Sequence, residues 1–189
     1  MRKVICFVNL TLDGYLSGPN GELDWMLSRP DAELNQEFTD AMRERVDTIL
    51  TGRNFHHGID QSFSAQATDP NSPPALAEFA TWMTETPRVV FSSTLTEVRP
   101  GFRVATDIVD EIAYQKARPG KDMVIFGGNR TVQRFAQLEL VDEYWIKLYP
   151  VALGTGQPLH TDLKEPADLR LAESRTYDSG IVTLRYVPA

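Results

Sequence analysis

Residues 124–130 read V-I-F-G-G-N-R, and T-V-Q-R-F-A-Q-L-E-L carries the chain on to residue 140. Met123 to Phe126 are four consecutive apolar residues, the pattern of a short buried strand, and two glycines stop it. Beyond the stop, Val132, Phe135, Ala136 and Leu140 recur at helical spacing. A strand therefore passes into a helix through Gly127-Gly128, where bare backbone can approach a ligand closely. The first amides of such a helix lack intrahelical partners and carry the positive end of its dipole, so a phosphate placed there satisfies both. A tight turn with no ligand is the alternative reading, because Gly-Gly is not the full dinucleotide fingerprint.

Outward from this stretch, apolar runs and helical patterns alternate. Residues 3–12 are β-branched enough for a central strand, and Asp13-Gly14 ends them. Residues 16–27 carry Gly18, Pro19, Asn20 and Gly21 and read as a loop that holds Asp24 beside Trp25. Asp31 caps a helix with Leu34, Phe38, Ala41 and Met42, followed by a strand over residues 46–51 that Gly52-Arg53-Asn54 closes. Residues 60–74 are rich in Ser, Asp and Pro and predict a surface loop. A helix over 75–83, a strand over 88–91 ending in Ser92-Ser93-Thr94, a strand over 102–105 and a helix with Ile108 and Ile112 follow. After the Gly-Gly unit come a strand over 141–149, a glycine-bearing loop over 151–160, and a hairpin of 169–176 with 181–187 turning at Asp178-Ser179-Gly180. This order predicts a single α/β domain over 1–189, three-layered, with a mostly parallel sheet and antiparallel C-terminal strands. A doubly wound transferase is disfavoured by the strand-rich tail.

Ligands of such sheets lie beyond the carboxyl ends of the strands. Three of these ends carry groups suited to phosphate. Arg53 offers bidentate donors or simply solvates a loop, Ser92, Ser93 and Thr94 offer small hydroxyls or cap a turn, and Gly127-Gly128 offers bare amides. Asp24 is a candidate acid, or an exposed charge at the start of a helical turn, and Trp25 a pocket wall or core.

The 189 residues are 42% apolar and 24% charged with a net charge of −7, an ordinary globular composition that argues against nucleic-acid or anionic-membrane partners. Residues 1–10 read as a strand rather than a signal peptide. Cys6 is the sole cysteine, which excludes an internal disulfide and suits a reducing, cytoplasmic setting. No metal is expected. The spacing of Asp13, Glu22 and Asp24 does not fit an EF-hand, and His56-His57 are adjacent rather than a helical turn apart. Tyr144, Trp145 and Tyr149 on one strand predict a homodimer.

Taken together, L-T-L-D-G (10–14), T-G-R-N (51–54), V-F-S-S-T-L (90–95), I-F-G-G-N (125–129), L-V-D-E-Y (140–144) and P-V-A-L-G-T-G-Q-P-L (150–159) resemble the dihydrofolate reductase-like superfamily. The nearest branch is the reductase domain of bacterial riboflavin biosynthesis. The resemblance implies an NADPH-dependent reductase of a small pterin-, pyrimidine- or related heterocycle, frequently homodimeric. It places Gly127, Gly128, Asn129 and Arg130 beside the cofactor pyrophosphate, and Gly52, Arg53 and Asn54 at its phosphates. Ser92 and Ser93 fall on the adenosine side with the 2′-phosphate, and Asn9, Thr11 and Leu12 where backbone holds the nicotinamide amide. Residues 13–17 resemble the start of a lid loop. Asp24 is the catalytic and substrate-binding candidate, with Trp25 beside it. One departure is Phe55, where the family has threonine. It favours the alternative of a non-catalytic nucleotide-binding module that keeps the fold.

Overall fold

The structure, a computed structural model, describes residues 1–163 and 165–189, and of Ile59 and Asp60 only the backbone. In chain order the elements are β1 (Val4–Thr11), β2 (Tyr15–Ser17), α1 (Asp24–Leu27), α2 (Ala32–Arg45), β3 (Val46–Gly52), α3 (Arg53–Thr68), α4 (Pro74–Glu85) and β4 (Arg88–Phe91). Then come β5 (Arg103–Ala105), α5 (Ile108–Lys116), β6 (Asp122–Ile125), α6 (Asn129–Gln137), β7 (Glu143–Tyr149), β8 (Gln157–Pro158), β9 (Leu169–Thr176) and β10 (Val182–Pro188). The chain divides into two compact units, Met1–Arg2 with Asp31–Gly128 and Lys3–Pro30 with Asn129–Ala189. The fold is α/β, mostly parallel with antiparallel C-terminal strands.

In the first unit the strand order is β5-β4-β3-β6, every pair parallel. In β3, β4 and β6 the Val, Ile and Leu side chains are buried on both faces, as parallel strands covered by helices require. Asp31 caps α2 by accepting from the Leu34 amide at 2.9 Å, and Asp107 caps α5 through the Asp110 amide at 2.9 Å. Met42, Ile49, Leu50, Met83, Ile112, Met123 and Ile125 form the core, each contributing about 1.5–3 kcal/mol relative to exposure. At the amino end of β3, the buried Arg2 guanidinium binds Asp47, the Thr48 hydroxyl (2.7 Å), Gln115 Oε1 (3.0 Å) and the Lys121 carbonyl (2.6 Å). A buried charge is tolerable there only because its donors are so fully engaged.

In the second unit β1 and β7 run parallel, while β10 is antiparallel to β7 and β9 antiparallel to β10. Gly180, at φ +80, turns the C-terminal hairpin, closed by the Tyr177 amide on the Ile181 carbonyl at 3.0 Å. The core holds Val4, Ile5, Cys6, Phe135 and Ile181.

Three stretches differ from expectation. Residues 60–74 are not a loop: α3 continues to Thr68, leaving only 69–73 irregular. The polar residues form the solvent face, and Phe63 packs edge-on against Phe79 of α4, with ring centroids 5.6 Å apart. Tertiary burial of one aromatic outweighs a loop-like composition. The loops expected over 16–27 and 151–160 contain β2, α1 and β8, with β2 and β8 pairing antiparallel. Two or three residues of pairing leave no legible alternation.

Candidate active site

The first unit assembles its predicted residues on one rim. Because β4, β3 and β6 are adjacent and parallel, Ser92-Ser93, Gly52-Arg53 and Gly127-Gly128 all follow carboxyl ends of neighbouring strands. α3 begins at Arg53 directly from β3. Its N-cap, Gly52, supplies no side-chain acceptor, and its first turn contains no acidic residue. The amides of a sixteen-residue helix thus lack a resident side-chain cap at the rim. Arg53 and Asn54 are exposed there, and Arg53 Nη1 donates to the Thr94 hydroxyl at 2.5 Å. Ser92 Oγ accepts from the Thr94 amide (3.2 Å) and the Leu95 amide (3.0 Å), so its hydroxyl caps its own turn, while Ser93 is exposed.

Gly127 and Gly128 have φ +72 and +74, consecutive left-handed residues that a β-branched side chain would strain. A Cβ on Gly127 would overlap the ring of Phe55. Gly128 is exposed and Gly127 only half so. Behind the rim, the fully buried Arg88 donates to the Met83 carbonyl (2.5 Å), lies 3.2 Å from His56 Nδ1, and has its guanidinium 4.8 Å from the Phe102 ring centroid. An uncapped helix start, an exposed guanidinium and a left-handed glycine pair make a donor set fitted to an anion.

In the second unit most candidate side chains already have work. Thr11 is buried, its hydroxyl donating to Asp13 (2.7 Å) and accepting from the Tyr15 amide (2.9 Å). Leu12 lies just beyond β1, exposed, its amide given to the Val151 carbonyl at 2.8 Å. Asn9 is half-buried on β1. Asn129 Nδ2 bonds Ser17 Oγ (3.0 Å) and Gln157 Oε1 (2.6 Å), and Arg130 is exposed on α6. Gln133 and Gln137, one and two turns on, donate to the Pro158 and Thr161 carbonyls, so one face of α6 grips residues 157–161.

The segment resembling a lid is pinned. Asp13 accepts from the Leu153 amide (2.9 Å) and the Gly154 amide (2.7 Å). The Thr11 hydroxyl, then these amides, hold its carboxyl below the ordinary carboxylate value. Asp24 is exposed at the start of α1, and Trp25 is buried with its ring 5.2 Å from that of Tyr149 in an edge-on contact. Among the described residues the buried Trp25 indole N–H finds no acceptor. Among them, too, no group of three or more His, Cys, Asp or Glu is placed to hold a metal ion.

The Asp13 clamp is not visible in the sequence reading; the signal for it is the pairing of an Asp-Gly turn with a distant glycine-rich segment.

The family model of the RibD C-terminal domain matches residues 2–183, and the chain belongs to that family. It is 34% identical over 186 residues to YyaP, an uncharacterized protein of Bacillus subtilis strain 168, covering 98% of this chain and 94% of the relative. A Shewanella sp. PV-4 protein named for riboflavin biosynthesis superposes with a TM-score of 0.76 at 28% identity, covering 99% of each chain. Dihydrofolate reductase from Enterococcus faecalis, solved with NADP(H), shares the fold at a TM-score of 0.61 and 12% identity, covering 98% of this chain and 96% of its own.

Proposed function

We propose that the protein is an NADPH-dependent reductase of a small planar heterocycle of the pterin or pyrimidine kind, acting as a single domain over 1–189. The observation that carries this reading is the rim of the first unit, where an exposed Arg53 and an uncapped, acid-free helix start stand out in a chain of net charge −7. Gly52, Asn54 and Gly128 would hold the cofactor pyrophosphate, with Arg53, bonded to the Thr94 hydroxyl, and the hydroxyls of Ser92, Ser93 and Thr94 serving the 2′-phosphate. When bound, NADPH supplies the hydride.

In the second unit, Asn9 and the Leu12 carbonyl would orient the nicotinamide amide, together with the Thr11 carbonyl, which also accepts from the Gly14 amide at 2.9 Å. Arg130 keeps an exposed cation on α6, whereas Asn129 acts through its loop contacts. Asp24 is the proposed proton source or ring anchor, and the unsatisfied Trp25 indole N–H beside it a donor to a substrate acceptor. The protein is proposed to be cytoplasmic, in keeping with its lone, buried Cys6, whose thiol burial pushes up to about 12. Among the described residues no helix is long and apolar enough to cross a membrane.

A homodimer is proposed from the family resemblance and from β9, whose residues after Leu169 are all exposed. Tyr144 and Tyr149 do not argue for it, since both are buried within their own unit.

The test is NADPH oxidation across a panel of pterins and ribosylaminopyrimidines, together with calorimetric titration of NADPH and NADH. Turnover is expected, with Arg53→Met weakening NADPH ten- to a hundredfold, about 1.5–3 kcal/mol, and NADH far less. Equal affinity for the two cofactors would overturn the 2′-phosphate assignment. Saturable binding without turnover on any substrate would favour the binding-only module.

A further inference from the structure

Two consecutive left-handed glycines form a turn with little to hold it, since glycine has more conformational freedom to lose than any other residue. Gly127 and Gly128 lie between β6 and α6, outside both. The Phe55 ring lies on Gly127 so closely that no Cβ fits between them. Phe55 is third in α3, half-buried, and its place is set by that helix leaving β3 at Gly52. β3 and β6 are paired in register, Leu50 against Ile125, with the Phe126 amide on the Leu50 carbonyl at 3.0 Å. The ring therefore closes the space between the first turn of α3 and the glycine turn, at a position from which a threonine hydroxyl would have offered only a hydrogen bond.

We propose that Phe55 is a positioning residue that wedges Gly127-Gly128 into its left-handed conformation and so preorganises the rim for the cofactor phosphates. The choice of ligand rests on the reductase reading above; the wedge itself does not. Ring volume, not a donor, is what the position requires. Removing the ring lowers the competent fraction of the turn, and the apparent affinity falls by that fraction.

The test compares Phe55→Ala, Phe55→Thr and Phe55→Leu by NADPH titration, steady-state kinetics and 15N relaxation of the Gly127 and Gly128 amides. Phe55→Ala and Phe55→Thr are both expected to raise the NADPH Kd and KM about tenfold, with kcat at saturating cofactor unchanged and both glycine amides more mobile. Phe55→Leu is expected to stay near the parent. Adding Phe55→Ala to Gly127→Ala should recover part of the affinity lost by Gly127→Ala alone, because the clash is with the ring.

Parental affinity in Phe55→Ala, or recovery by Phe55→Thr beyond Phe55→Leu, overturns the wedge. Should the parent not bind NADPH at all, the cofactor reading fails, and unchanged amide relaxation in Phe55→Ala then overturns the wedge separately. If Phe55→Ala does not fold, Phe55→Val against Phe55→Leu tests the same dependence on volume, and equal affinities count against it.

Discussion

The two units hold their candidate residues by different means. The rim of the first is shaped by backbone: strand ends brought level by parallel register, a helix started without a side-chain cap, and glycines held at positive φ. The corresponding loops of the second are tied by side chains: Asp13 to the 153–154 amides, Asn129 to Ser17 and Gln157, Thr11 to Tyr15. Backbone shaping leaves donors available for a ligand, whereas side-chain ties consume them. Asp13 and Asn129 of the second unit are thus struts, as Ser92 is within its own turn, whereas Arg53, Asn54 and Ser93 of the first unit stay exposed.

Gly128→Val attacks the backbone-shaped rim and has the largest expected effect. The substitution forces a β-branched residue to φ +74, at a cost of order 1–3 kcal/mol, and sets a Cβ where a phosphate oxygen would approach. NADPH affinity should fall by roughly a hundredfold or more. Thermal unfolding run beside the titration separates lost fold from lost site; a folded variant that binds like the parent would make the glycine pair only a turn.

Asn129→Leu attacks the side-chain ties. It strips both Ser17 and Gln157 of their amide donor and should cost about 1–3 kcal/mol in urea unfolding, with little change in NADPH affinity. The reverse result, stability kept and affinity lost, would make Asn129 a ligand contact after all and blur the contrast between the units.

Asp13 sharpens the contrast by pH and has the smallest expected effect. Its folded pKa lies below the ordinary 3.8, so its contribution is present above 3.8 and disappears as the pH falls through the lower folded value. Asp13→Asn should therefore lie below the parent in stability at pH 7 and converge with it at strongly acid pH. Parallel stability curves for the two proteins across that range would show that the clamp carries no linked proton.

Much of this was legible in one dimension. The strand–Gly-Gly–helix stretch, the Asp31 cap, the buried strands after residues 45, 87 and 122 and the C-terminal hairpin all rest on contiguous patterns: apolar runs, helical spacing, capping and turn residues within a few positions. The resemblance, spread over six motifs, carried the family. What the pattern could not decide was which reading of each polar residue holds. Nothing in the sequence says whether Ser92 caps its own turn, and only the placement of the Thr94 and Leu95 amides shows that it does. The same is true of Asn129, engaged by residues 112 and 28 positions away, and of Asp13, engaged 140 and 141 positions away. Phe55 in place of threonine looks in sequence like a lost donor; in the fold it is a ring filling the one position where Gly127 has no side chain. The sequence alone determined the periodicities and hence the elements, because helix and strand preferences act over a few residues. Only the tertiary structure decided how the polar groups are spent, because a hydrogen bond or a ring contact depends on which distant atoms the fold brings within about 3–4 Å.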